Sequence, residues 1–392
     1  MKLRKHKKNI IPLPYPYYFF PVAAVALAGL FDSIYLAVSH FRVYTDMGYQ
    51  SFCAISRTFN CDTVSQSPYS ILLGVPVPVW GIIGYVFFLL LLMLAWPSKA
   101  QNKRIWALLF IVSLAYNAYS IVLAVISTYM IHSYCIMCIL SYAINLMLLF
   151  FTWLVCKRFH CESFFKAIIF DIRYLLSYPK LSSAGALFLS TGVVLLVLFF
   201  PAYWHMTSPA LAKNMPTGFT EDGHPWIGAS NPDLVIVEFS DYRCFQCKKM
   251  HYFLRRLVQD HPNTFRLVHR HFPMDHTINP LVKHPFHNGS AKLAIVSIFA
   301  AKKEKFWEMN DILFDISRQT EAINIRDLAE KAGMEYDDIK YVFRDNELWH
   351  ELKTDIRAGI EHGLTGTPGF VINDQVYLGQ IPAEVLRRYG NF

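Results

Sequence analysis

The sequence of 392 residues predicts a multi-domain protein: an α-helical membrane bundle followed by an α/β domain that carries a helical insertion. Three observations lead there. The chain is 54% hydrophobic and only 17% charged, with a mean hydropathy of +0.28, which is too apolar for an ordinary soluble protein. The apolar excess lies before residue 205. Cysteines fall in close pairs on both sides of that boundary. The net charge of +8 does not argue for nucleic acid, because much of it sits in "MKLRKHKKN" and in short loops between apolar segments. That placement is the signature of membrane orientation.

Five apolar stretches, at about 17–39, 76–96, 105–130, 136–155 and 183–204, approach the ~20 residues that a helix needs to cross the hydrocarbon core. The first four make a bundle and the fifth links it to the soluble part. Lys2, Arg4, Lys5, Lys7 and Lys8 flank the first stretch. Lys99, Lys103 and Arg104 follow the second; Lys157, Arg158, Lys166, Arg173 and Lys180 follow the fourth. The positive-inside rule then puts the N-terminus, 97–104 and 156–182 in the cytoplasm, and 40–75, 131–135 and everything after 205 outside. The expected order is a basic N-terminus (1–16), a four-helix domain (17–156), a cytoplasmic loop (157–182), a fifth span (183–204), a linker (205–225) and the soluble domain (226–392). The first stretch is too long for a cleavable signal peptide and lacks a clear small-residue cleavage site.

With this topology Cys53, Cys61, Cys135, Cys138, Cys244 and Cys247 share the outer, oxidising side, and Cys156 and Cys161 are reduced cytoplasmic thiols. Cys53 and Cys61, eight residues apart, read equally well as a structural staple or a redox pair. Cys135 and Cys138 form a Cys-x-x-Cys at a helix start, where the dipole favours a thiolate. A disulfide closing so short a loop gains little entropy, which favours redox chemistry over stabilisation.

In the soluble part "LVIVEFS" reads as a buried strand, and "CKKMHYFLRRLVQ" as an amphipathic helix with Met250, Phe253, Leu254 and Leu257 on one face. A strand, a short turn and Cys-x-x-Cys opening a helix is a thioredoxin-like redox signature. Cys244 is the attacking thiol and Cys247 the resolving one. His269, His271, His276, His284 and His287 lack a ligand-like spacing and read as solvated loop histidines, so no metal is expected.

"EFSDYRCFQC" and the distant "TGTPGFVIND" resemble DsbA-like thioredoxin proteins over about 226–392. The resemblance implies that Thr367–Pro368 is the cis-proline turn against the dithiol. It also implies that Glu238 is the buried acid serving the resolving cysteine, and that 121 residues between Cys247 and Pro368 hold the helical insertion. The central dipeptide, Phe245–Gln246, departs from the Pro–His of the strongest oxidants, and Ile278 stands where some relatives have a further cysteine. "NCDTVSQSPYSILLGVPVPVWGIIGY" and "YCIMCILSY" are similar to the vitamin K epoxide reductase family, specifically bacterial members fused to a thioredoxin-like domain, over about 15–156. This implies a four-helix core around a membrane quinone (ubiquinone or menaquinone), with Cys135–Cys138 beside it and Cys53–Cys61 as a shuttle pair. Asp62, Ser67 and Tyr142 fall where the family lines the quinone, although "GVPVPVWG" lacks the Asn of vertebrate relatives.

Tyr116, Ser120 and Ser127 add to that set from the third span, at i, i+4 and i+11. Such intramembrane polar groups face a ligand or a neighbouring helix. The prolines at 76 and 78 make the segment after Cys61 a surface lid before the second span. The implied activity is oxidation of thiols in exported proteins at the bacterial inner membrane, with the thioredoxin part periplasmic or extracytoplasmic. The partners are those proteins, the quinone and the bilayer, without nucleic acid. A transmembrane reductant transporter using Cys156 and Cys161 is the alternative.

Overall fold

A computed structural model describes residues 13–55, 58–96, 105–159, 164–177, 179–206, 208–209, 215–316 and 324–390. The basic N-terminal residues, Arg57, the 97–104 loop with its three cations, and Cys161 lie outside them. The chain divides into two compact units, Met1–Trp204 and His205–Phe392.

The first unit is helical. Helix α1 spans Pro16–Thr45; α2, Cys61–Gln66, is a single short turn capped by Asn60, whose Oδ1 accepts from Thr63 N at 3.0 Å. A 3-10 turn at Pro68–Ser70 leads into the hairpin β1 (Ile71–Leu72) and β2 (Val75–Pro76). Then come α3 (Val77–Met93), α4 (Trp106–Ile126, continued by a π-helical turn to Ile131), α5 (Ile136–Phe159), α6 (Phe164–Leu176) and α7 (Pro179–Phe199). Among the described residues, Pro16–Thr45, Trp106–Ile131 and Ile136–Arg158 are long and apolar enough to cross a membrane. The expected second span shortens to 17 residues. The expected fifth runs from Pro179 to Phe199 instead of 183–204.

The segment expected as a loop at 157–182 is largely helical, and α6 has a specific job. Its Asp171 is fully buried and accepts from the backbone N–H groups of Ile105 (2.7 Å), Ala107 (2.9 Å) and Leu108 (3.3 Å). These are orphan donors at the start of α4. A carboxylate is the side chain suited to that end of the helix dipole.

Helices α1 and α3 approach closely because glycine faces them. A Cβ on Gly29 would lie 2.3 Å from the Tyr85 ring, and one on Gly81 would lie 2.6 Å from Ser33 Oγ. Small residues at helix contacts permit this in a lipid setting, where close packing replaces the hydrophobic effect as the associating force.

The second unit is built on a six-stranded sheet. Its strands are β3 (Thr217–Phe219), β4 (Pro225–Gly228), β5 (Leu234–Ser240), β6 (Phe265–His271), β7 (Gly369–Ile372) and β8 (Gln375–Leu378), in spatial order β3-β4-β6-β5-β7-β8. Only β5 and β6 pair in parallel, joined by the crossover helix α8 (Phe245–Asp260). Between β6 and β7 lie α9 (Ser290–Lys302), α10 (Phe306–Asp315), α11 (Ile325–Lys331), α12 (Tyr336–Ile339) and α13 (Asn346–Glu361); α14 (Ala383–Arg387) ends the unit. Phe239, Phe272, Leu293, Ile295, Leu313 and Phe314 are among the fully enclosed residues that join these helices to the sheet.

Candidate active site

The loop between α1 and α2 is tied to the Cys135–Cys138 motif by backbone pairing. Tyr134 N donates to Thr58 O at 2.7 Å and Asn60 N to Tyr134 O at 2.9 Å, so Phe59 and Tyr134 form a β-bridge directly before each cysteine motif. Cys53 and Cys61 are joined in a disulfide and buried, at 0% and 3% exposure. Cys135 is packed with them in one apolar cluster, against which Leu36, Val64 and Cys138 lie. Cys135 and Cys138 are free thiols, and Cys138 N donates to Cys135 Sγ at 3.1 Å.

Cys138 also lines an open cavity between α1, α3, α4 and α5, bordered by the Ser67–Ser70 turn and Pro78, with an empty volume of about 920 Å³ including its mouth. Ser67, Ser120, Ser127 and Tyr142, all expected at such a site, line it. Tyr116 is not among the lining residues; its ring packs behind them on Tyr85 and Phe88. Nor is Asp62; its Oδ2 accepts from Ser51 N at 3.1 Å and braces the loop.

The structure adds residues that sequence reasoning passed over. Asn145 is the hub of the polar wall: its Nδ2 donates to Ser120 Oγ (2.9 Å), and its Oδ1 accepts from Tyr85 (2.7 Å). Ser141 donates to the buried carboxylate of Asp32. His40 lines the opposite side, within 2.7 Å of the Tyr203 hydroxyl and 3.2 Å of Ser70 Oγ. An Asp and an Asn within apolar spans were the available signal. Cys156 is a free thiol whose sulfur donates to Trp106 O at 3.2 Å.

In the second unit Cys244 is the N-cap of α8, and its sulfur accepts from Cys247 N at 3.2 Å. This repeats the local geometry of Cys135 and Cys138. Thr367–Pro368 is cis, and Thr367 O lies 3.6 Å from Cys244 Sγ. Burial would raise the Cys244 thiol, but the Cys247 contacts and the charge of His287 outweigh it and hold Cys244 below the ordinary value. Burial and the neighbouring Cys244 push Cys247 well up. The pair is therefore divided into a more acidic thiol, Cys244, and a less acidic one, Cys247.

Asp241 is the carboxylate whose charge is felt at both sulfurs. It accepts from Arg243 N and Met274 N at 2.7 Å and lies 2.8 Å from His287 Nδ1. Burial would lower His287; Asp241 and the Cys244 thiolate overcome that and raise it. Glu238 instead engages His251, 2.8 Å away. Burial opposes its ionisation, yet His251 and His269 bring its carboxyl down to about 2. His269 and His271, expected as solvated loop residues, are buried on β6, because the strand carries them into the interior.

Comparison with known proteins agrees with this division. The profile of the vitamin K epoxide reductase family matches residues 20–153, and that of the DSBA-like thioredoxin domain matches 235–389. Two Na+/H+ antiporters are similar in part: one of Salinispora tropica at 25% identity and one of Salinispora arenicola at 24%, each over 41% of this chain. The chain spans only 23% of the length of these curated relatives.

Among solved structures, a periplasmic thioredoxin-like protein of Salmonella enterica serovar Typhimurium is 21% identical, covering 44% of this chain and 90% of its own (TM-score 0.34). A thioredoxin-like oxidoreductase of Silicibacter pomeroyi is 21% identical, with 43% and 91% covered (TM-score 0.35). The chain is thus a membrane-anchored polypeptide that joins a vitamin K epoxide reductase family domain to a DSBA-like thioredoxin domain, both of them domains of thiol–disulfide oxidoreductases.

Proposed function

We propose that the protein oxidises thiols of exported proteins and delivers their electrons, two at a time, to a quinone in the inner membrane. Client thiolates attack the Cys244–Cys247 disulfide and leave oxidised. The reduced Cys244 thiolate attacks the Cys53–Cys61 disulfide at Cys53, releasing Cys61. Cys247 then attacks Cys244, re-forming that disulfide and releasing Cys53; Cys61 attacks a Cys135–Cys138 disulfide at Cys135, which frees Cys138, and Cys53 attacks Cys61 to re-form the loop disulfide and release Cys135. Each transfer exchanges one S–S bond for another and moves one electron pair.

The observation that carries this reading is the division between Cys135 and Cys138. Cys135 packs with the loop disulfide, whereas Cys138 faces the cavity. Ser120, Ser127, Tyr142 and Asn145 offer hydrogen-bonding groups on one wall, and Leu36, Leu123, Ile126 and Ile131 offer apolar surface on the rest. That donor set fits a flat apolar ring with carbonyl oxygens. A quinone held there supplies the terminal two-electron oxidant, as Cys135 and Cys138 rejoin and give up their two protons.

Cys138→Ala tests the order. Quinone reduction by the full chain in nanodiscs should stop, while Cys244 continues to exchange disulfides with a thiol peptide. Parental quinone reduction in that variant would overturn the scheme. The reductant-transport alternative relies on Cys156, eighteen residues along the chain from Cys138. At 1.5 Å per residue that is about 27 Å of helix, well beyond thiol contact.

A further inference from the structure

The interior of the thioredoxin unit holds a polar cluster built around Glu238. Strands β5 and β6 pair in parallel with Glu238 opposite His269 and Ser240 opposite His271. All four side chains therefore share one face of the sheet. Helix α8 lays His251 over that face, and all five residues are 0–3% exposed. Tyr242 stacks on His269 at 5.9 Å, and Phe306 closes on it at 5.3 Å.

The hydrogen bonding inside this aromatic enclosure is incomplete. Glu238 Oε2 is 2.8 Å from His251 Nδ1 but 3.9 Å from His269 Nδ1, which is too long for a hydrogen bond. Glu238 Oε1, both ring nitrogens of His269, His271 Nδ1 and Ser240 Oγ have no hydrogen-bond partner. Each such buried group costs about 1–3 kcal/mol unless something satisfies it. Five on adjacent residues point to a missing occupant.

We propose that Glu238, His251 and His269 bind a divalent first-row metal ion, zinc foremost. One ligand atom from each residue lies within 4.8 Å of the other two. An ion among them would sit near the ~2.0–2.2 Å of zinc–nitrogen and zinc–oxygen bonds after small side-chain shifts. Two imidazoles and a carboxylate are a donor set that zinc accepts, with His271 or a water as fourth ligand. Binding replaces the Nδ1 proton of His251 with the metal, and that proton leaves to solvent.

The outer shell also suits a ligand histidine. Asn310 lies 2.8 Å from His251 Nε2 and is itself held by Tyr242, which contacts Ser297 at 2.7 Å. With the amide turned so that its oxygen accepts from Nε2–H, the ring is fixed with Nδ1 toward the metal. The ion would clamp β5, β6 and α8, the three elements that carry or adjoin the Cys244–Cys247 turn.

The test uses the full chain in detergent, oxidised with diamide and treated with N-ethylmaleimide so that no thiolate can ligate. Co2+ is the spectroscopic probe and Zn2+ the competitor. One equivalent of Co2+ should bind, with d–d absorption, no sulfur charge-transfer band, and displacement by Zn2+. His269→Gln and His251→Gln should each weaken binding at least tenfold, and Zn2+ should raise the melting temperature of the parent but not of the variants. X-ray absorption of the Zn2+-loaded parent should show imidazole and oxygen without sulfur, a readout that does not depend on how the variants fold. No binding by the blocked parent, parental affinity in both variants, or a sulfur-containing shell would each overturn the assignment. Because the thiols are blocked throughout, failure here leaves the electron relay untouched, and failure of the relay leaves this site untouched.

Discussion

His287→Gln is the most direct probe of how the thioredoxin unit prepares its nucleophile. Glutamine can keep a hydrogen bond to Asp241 but removes the cation that lowers Cys244, leaving the buried Asp241 carboxylate beside the sulfur. Loss of that cation should raise the Cys244 thiol. A less stable thiolate makes the disulfide less oxidising, by about 30 mV for each tenfold shift in the exchange equilibrium. The thiolate fraction falls as the Cys244 thiol is raised, and attack slows by less than the thiolate loss because intrinsic nucleophilicity rises along a Brønsted slope of about 0.4–0.5.

The size of the effect depends on pH. His287 is raised above the ordinary imidazole value, so its charge is present below that value and is lost as pH climbs through the raised one. The difference between parent and variant should therefore shrink on going alkaline. The assay is the alkylation rate of Cys244 against pH, read by peptide mass spectrometry, together with equilibration of the Cys244–Cys247 pair in glutathione buffers. Equal thiol acidity and potential in both proteins, or a gap that widens with pH, would refute the assigned role.

Other expectations concern the framework. Asp171→Ala strips three N–H groups at the start of α4, two of them buried, of their acceptor and should destabilise the membrane unit by about 2–3 kcal/mol, measured by thermal unfolding in micelles. Gly29→Ala drives a methyl into Tyr85, whose hydroxyl holds Asn145. It should cost about 1–3 kcal/mol and weaken quinone affinity more than thiol exchange, as a raised KM for quinone. Burial would lower His224, but Asp355 raises it, so its contribution to stability is complete below the ordinary imidazole value and disappears as pH rises through its raised one. Denaturant melts at stepped pH should show that loss in the parent and not in His224→Gln.

What was legible in the sequence was whatever local patterning dictates. Cys-x-x-Cys at a helix start announced both dithiols, and the apolar runs announced the spans. Two of the polar residues on the third span, Ser120 and Ser127, do reach the cavity. Tyr116 shows the limit of that reasoning. Helical spacing places a residue on a face, but Gly84 left room for the Tyr116 hydroxyl, whose oxygen lies 3.0 Å from where a Cβ on that glycine would stand.

Features built from distant residues were invisible for a common reason. Asp171 caps a helix more than sixty positions upstream, and nothing in an amphipathic segment announces its target. The histidines at 269 and 271 looked solvated because their spacing was judged along the chain. Strand register, which sets 238 beside 269, is what groups them. Likewise the resemblance directed attention to Glu238, while Asp241, three residues from Cys244, is the acid engaged with the dithiol environment.

The burial of Cys53 and Cys61 has a kinetic consequence. A disulfide this enclosed is attacked from solution chiefly when the loop around it opens, so outside thiols wait on the same local opening event. Each 1.4 kcal/mol of opening cost slows a small diffusing thiol about tenfold. A partner that binds the loop and opens it escapes that delay. Enclosure thus insulates the pair in the way a sheath insulates a wire: selectivity between protein partners and stray reductants is set by access, and the redox potential is left free to be tuned for direction alone.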